Sequence, residues 1–222
     1  MQSIYPPAPN ASVLSRSNVE LSREAIARRP RDYAEDVISD PVRIITAGSQ
    51  EQNYKGHDLL IQATRILRKQ SLKLEVTIIG GGKLHSSLKA LAVELQVSDN
   101  IHFIDRLPSA DHVREFISKS DLFVLPSRTE GLPRVLIEAM ASGIACLGAN
   151  VGGVPELLGN EWIFRPNDPS ALASIVMSVV GNPERLSTGA RQQWVVAREI
   201  AANYSGDDVL SEFLDEWVTE EG

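Results

Sequence analysis

VRIITAGSQEQNYKGHDLLIQATRILRKQ, residues 42–70, decides the fold. It opens on a short β-branched run that stops at Gly48. From His57 onward Leu59, Leu60, Ala63, Ile66 and Leu67 recur at three- and four-residue spacing, the period of an amphipathic helix. One strand and one helix are thus joined by a polar, glycine-bearing loop. The same cycle repeats downstream: LEVTIIG (74–80) with LHSSLKALAVELQ (84–96), IHFI (101–104) with ADHVREFISKS (110–120), and LFVLP (122–126) with RVLIEAMASG (134–143). IACLGA (144–149) then takes a shorter connection to WIF (162–164). Short apolar strands alternating with helices predict a parallel sheet covered on both faces. Right-handed crossovers make it an α/β doubly wound, Rossmann-like fold.

Beyond this series the pattern changes on both sides. Asp168 and Pro169 read as a helix start, and helical stretches are expected at about 168–180, 184–203 and 207–218. The last carries Val209, Leu210, Phe213, Leu214 and Trp217 on one face, suited to the flank of the sheet or to a partner domain. Residues 1–40 hold Pro6, Pro7, Pro9 and Pro30 and a single helical stretch near 19–28, and read as an extended lead-in. The expected division is a linker over 1–40, a Rossmann-like domain over 41–205 and a carboxyl-terminal helix over 206–222.

With 222 residues and 43% hydrophobic composition the chain can bury a full core without staples. A single cysteine, Cys146, excludes an intrachain disulfide, and no Cys and His spacing suits zinc. No apolar run is long enough to cross a membrane, and the opening MQSIYPPAPNAS has no basic and apolar blocks of a signal peptide. A cytoplasmic chain is expected. A net charge of −7 weighs against nucleic acid, whose binding rests on clustered Lys and Arg. An anionic ligand must therefore be met locally.

In open parallel sheets the ligand sits beyond the carboxyl ends of the strands. Three segments there carry chemistry: Gly48-Ser49-Gln50 with Lys55-Gly56, then Gly80-Gly81-Gly82, then Pro126-Ser127-Arg128-Thr129-Glu130-Gly131-Leu132-Pro133. In the third, Glu130 ends a loop and Glu138 lies in the helix that follows. Between them the amides of Gly131, Leu132, Arg134 and Val135 belong to a helix N-terminus, where backbone N–H groups and the macrodipole favour phosphate. Pro133, with no N–H, suits the first helical position. Amides for a pyrophosphate flanked by carboxylates for hydroxyls suit a sugar nucleotide.

The run PSRTEGLPRVLIEAMASG followed by NVGGVPELL resembles the signature of the large retaining glycosyltransferase family with the GT-B fold, often called family 4 or glycosyl transferases group 1. YKGHDLLIQA resembles that family's first phosphate-binding segment. The likeness covers about residues 42–205 and implies one half of a GT-B fold, the donor-binding half, with extra carboxyl-terminal helices. It implies that Lys55 contacts the donor pyrophosphate, that Glu130 meets the transferred sugar as the catalytic carboxylate, and that Glu138 holds the ribose. Gly48, Ser49, Gly131, Leu132, Arg134 and Val135 complete the donor site. The loop with Asp105, Arg106 and Leu107 lies against the base, largely through backbone groups. The substrate implied is a UDP- or GDP-sugar, with no cofactor and no metal. The acceptor, a glycan, lipid or small molecule, is reached through an amino-terminal domain missing here, which is also the expected route to the membrane periphery. Ser49 departs from the family, many of whose members carry arginine there, so phosphate neutralisation leans on Lys55 and the amides.

Taken singly, Glu130, Glu138 and Lys55 read as surface charges, because such residues are seldom buried. The loop around them turns the reading. Gly80-Gly81-Gly82 lacks the third glycine of a dinucleotide fingerprint. Gly152 and Gly153 read equally as a turn or as a ligand-facing loop, and Cys146 as core. Two further functions stay open: a nucleotide-sugar-binding module inactive alone, and a sugar-nucleotide epimerase or phosphorylase of similar fold.

Overall fold

In the computed structural model, which describes residues 21, 25–36 and 38–203, six strands alternate with helices. The strands are β1 (Val42–Ala47), β2 (Leu74–Ile79), β3 (Ile101–Ile104), β4 (Leu122–Leu125), β5 (Ala145–Ala149) and β6 (Ile163–Phe164). All pair in parallel in the order β3-β2-β1-β4-β5-β6. Chain direction across the sheet therefore reverses between β1 and β4. Val42 lies opposite Leu74 on one side of β1, and Ile44 opposite Leu122 on the other. The strands are apolar almost throughout because both faces are covered: every residue of β4 and β5 is buried, and in β1 only Arg43 is exposed.

The helices are α1 (His57–Lys69), α2 (His85–Glu94), α3 (Ala110–Ser118), α4 (Arg134–Ala141), α5 (Val154–Leu158), α6 (Pro169–Val180) and α7 (Pro183–Asn203). α1 packs on α2 and α6, whereas α4 packs on α3 and α7, which gives one layer on each face. The stripe read as Leu59, Leu60, Ala63 and Leu67 is the buried face of α1. α6 begins where Asp168 and Pro169 predict it, with Asp168 Oδ1 accepting the Ala171 amide at 2.9 Å. The helix expected over 207–218 lies outside the described residues, as does half of 19–28.

The lead-in proves to be docked. Ala27 N–H donates to Ala141 O and Arg31 N–H to Gly143 O, each at 2.8 Å. Tyr33 is 2% exposed; its hydroxyl donates to Asp121 O at 2.7 Å and accepts the Ala145 amide at 2.9 Å. Trp194 of α7 donates from Nε1 to Ala27 O at 3.0 Å. Residues 27–33 thus strap the amino ends of β4 and β5 to α4 and α7, at the end of the sheet away from the loops expected to bind ligand. At the far edge β6 is too short to cover β5, and the Gln193 side chain substitutes: Oε1 accepts the Cys146 amide at 2.8 Å and Nε2 donates to Cys146 O at 3.0 Å. Cys146 itself is fully buried in the core.

Candidate active site

Two loops that leave neighbouring strands at the reversal point build the site. After β1, residues Asn53–Lys55 form one 3-10 turn ended by Gly56 at φ 65°. A Cβ on Gly56 would stand 1.9 Å from Pro126 O, so the absence of a side chain lets the turn rest on the loop after β4. Arg128 fastens the two. Its guanidinium reaches both carboxylate oxygens of Asp58 at 2.8 Å and Asn53 O at 2.7 Å, while its amide donates to Tyr54 O at 2.7 Å. Arg128 is consumed in this clamp and does not line the cleft.

The clamp sets Lys55 beside Glu130. Nζ donates to Oε1 at 2.7 Å, with the side chains only 15% and 7% exposed. The buried Ser127 hydroxyl donates to the same oxygen at 2.6 Å. The Lys55 stem crosses Gly48, where a Cβ would lie 3.1 Å from Cγ and Cδ. Behind Glu130 stands Gly152, at φ 51°, where a Cβ would meet Glu130 O at 1.9 Å; the neighbouring Gly153 amide donates to Gly131 O at 3.0 Å. The Gly152-Gly153 turn therefore backs the glutamate loop instead of facing the ligand space.

A cleft of about 610 Å³ opens here. Its lining includes Gly48, Ser49, Lys55, Arg106, Leu107, Glu130, Leu132, Arg134, Val135 and Glu138. Of the residues that the resemblance places at the site, Gly131 and Asp105 are outside the lining. Gly80 and Gly81 contribute to one wall, and Ser109, Ala110 and Val113 at the start of α3, which the sequence reading passed over, extend it. α4 begins with Arg134, and Pro133 is its extended N-cap at φ −78°, ψ 94°, so the helix starts one residue later than Pro133 as its first residue would have it. The Pro133 carbonyl accepts Leu136 N–H at 3.0 Å and Ile137 N–H at 3.3 Å, so the first turn is well formed and its positive end faces the cleft.

The charges are tuned by their surroundings. Glu138 is half-buried, and desolvation raises its pKa; Arg114 of α3 and Arg134 oppose the rise. Arg114 was not legible as a site residue, because on α3 it pairs with Asp111 one turn away and reads as part of a solvated face. His57, at the start of α1, is 3% exposed and lies behind the Gly48 loop, with Nε2 3.3 Å from Gly48 O. Burial lowers its pKa to about 4, so at neutral pH the ring is uncharged and adds no cation to the cleft. Among the described residues no group of three or more His, Cys, Asp and Glu side chains gathers in a metal-holding cluster.

The glycosyl transferases group 1 family matches residues 31–193. The amylovoran biosynthesis glycosyltransferase AmsK of Erwinia amylovora is 32% identical over 151 residues, which cover 64% of this chain and 37% of that protein. The chain thus spans well under half the length of that relative. Among solved structures, the C-terminal domain of the glycosyl transferase group 1 family protein LpcC from Francisella tularensis superposes with a TM-score of 0.64 at 17% identity, over 82% of this chain and 94% of that one. HepE of Anabaena, solved in complex with UDP, gives a TM-score of 0.67 at 18% identity, over 89% and 54% of the two chains.

Proposed function

This chain belongs to the glycosyl transferases group 1 family, and on that premise we propose that its cleft binds a UDP- or GDP-sugar for transfer of a hexosyl group with retention of anomeric configuration. The observation that carries the reading is the joining of Lys55, Glu130, Glu138 and the α4 N-terminus around one cleft. In this reading the diphosphate lies on the first-turn amides of α4 and against Lys55, with Arg134 beside it. Glu138 accepts from the ribose hydroxyls. Glu130 orients the sugar, and the loop of Arg106 and Leu107 borders the base. Catalysis is electrostatic: as the glycosidic bond to the diphosphate breaks, the departing charge is met by groups already in place. The reading assigns no cofactor and no metal. A facing domain supplies the acceptor, a glycan, lipid or small molecule. HepE, of like fold, was solved with UDP, which supports a nucleoside diphosphate as the class of ligand.

The test is calorimetry with UDP and with GDP. Lys55→Ala weakens binding of the diphosphate that the chain accepts by about 1–3 kcal/mol, the scale of a charge-assisted hydrogen bond lost. Unchanged affinity removes Lys55 from the phosphate site.

A further inference from the structure

The cation assigned to the phosphates already has a partner within the chain. Lys55 Nζ is 2.7 Å from Glu130 Oε1, and both side chains are largely buried. Ser127 Oγ holds the same oxygen at 2.6 Å, so the carboxylate is fixed in place and cannot swing away with the lysine. The lysine is confined as well, its stem laid over Gly48 and its turn clamped by Arg128.

We infer that the Lys55–Glu130 pair determines specificity for the sugar nucleotide over the bare nucleoside diphosphate. The inference rests on the donor-site reading above. A bare diphosphate draws Lys55 toward itself and leaves Glu130, 7% exposed, with the Ser127 hydroxyl and a new anion for company. A buried carboxylate stripped of a charged partner is costly. A sugar nucleotide makes the same demand on Lys55 but brings sugar hydroxyls, which donate to the carboxylate in the lysine's place. The donor replaces what it removes, and the product does not. Holding donor in preference to spent diphosphate is what a turnover enzyme needs, because product that binds as tightly as donor occupies the cleft after each cycle.

Glu130→Gln separates the two ligands. The amide keeps the shape and the Ser127 contact but gives Lys55 no counter-charge, so the free lysine serves the diphosphate alone. With the 222-residue chain and calorimetry, UDP or GDP should bind this variant about five- to tenfold more tightly than the unaltered chain, the scale of one competing charge-assisted hydrogen bond. UDP-glucose and GDP-mannose should gain less than the diphosphates or lose affinity. In a Lys55→Gln background, Glu130→Gln should no longer tighten diphosphate binding, which ties the effect to this pair and not to general loss of negative charge. Thermal melting of each variant establishes that it is folded. If the unaltered chain binds none of these four ligands, the donor-site reading falls and the inference with it. If the unaltered chain binds a diphosphate but Glu130→Gln binds it no more tightly, or if tightening persists without Lys55, the inference alone is overturned.

Discussion

Glu138 holds a charge where its surroundings disfavour one. Burial raises its folded-state pKa above the ordinary 4.5, so through the interval above that value the native chain binds more protons than the unfolded one. Stability therefore falls as pH rises through the interval, and the ionised carboxylate weakens the fold. Glu138→Gln is expected to stabilise the free chain slightly, solvent screening keeping the gain small, while weakening UDP or GDP binding by about 1–3 kcal/mol because one of the two acceptor oxygens becomes a donor. Melting curves at pH 7 with and without nucleotide read both signs; a variant that melts lower when free, yet is stabilised by nucleotide as well as the parent, contradicts this role. Lys55, Glu130 and Glu138 were legible as candidates because they lie in loops and helix starts whose chemistry is local in sequence. Arg114, Ser127 and the ring of His57 were not. Arg114 reaches Glu138 from another helix and His57 sits behind a loop that precedes it by nine residues, whereas Ser127 is only three residues from Glu130 and its hydroxyl's partner is decided by the turn of the loop.

At the scale of elements, the strand and helix series followed from periodicity because every β–α unit repeats the same change from a buried run to an amphipathic stripe. The start of α4 was misjudged by one residue, since Pro133 suits either the N-cap or the first helical position and only the backbone angles decide. The lead-in misled more. Its prolines and polar residues conceal Tyr33, whose ring is buried and whose hydroxyl serves two backbone groups, one just before β4 and one at the start of β5. Tyr33→Phe keeps the ring but leaves Asp121 O and Ala145 N–H without that partner, and should cost about 1–3 kcal/mol of stability. Because the strap lies at the end of the sheet opposite the cleft, UDP or GDP affinity should be unchanged. Urea unfolding and calorimetry on the same preparation check both; a drop in affinity would mean that the strap and the cleft communicate.

For the whole molecule, the reversal of strand order between β1 and β4 explains why the loops after those strands, and no others, meet as Lys55 and Glu130. The sequence reading reached the doubly wound sheet but not the strand order, which is settled by pairing between segments far apart in the chain. The described residues form a cleft, read above as the donor side, and the chain spans 37% of the length of its AmsK relative. Transfer requires donor and acceptor at near-attack distance, a gain worth roughly 7–11 kcal/mol of the barrier. The 222-residue chain alone is therefore expected to bind the sugar nucleotide and to hydrolyse it slowly at most. Transfer should appear when the acceptor-binding half of a relative is co-expressed; robust transfer by the chain alone in an acceptor panel would place the acceptor site within these residues. Such pairings also raise the matter of where a hybrid is joined. A seam at residue 41, just before the first strand, would discard Tyr33 and replace the strap with foreign sequence. The exchangeable cassette begins no later than Ala27, and a graft that respects this inherits its own fastening along with its binding loops.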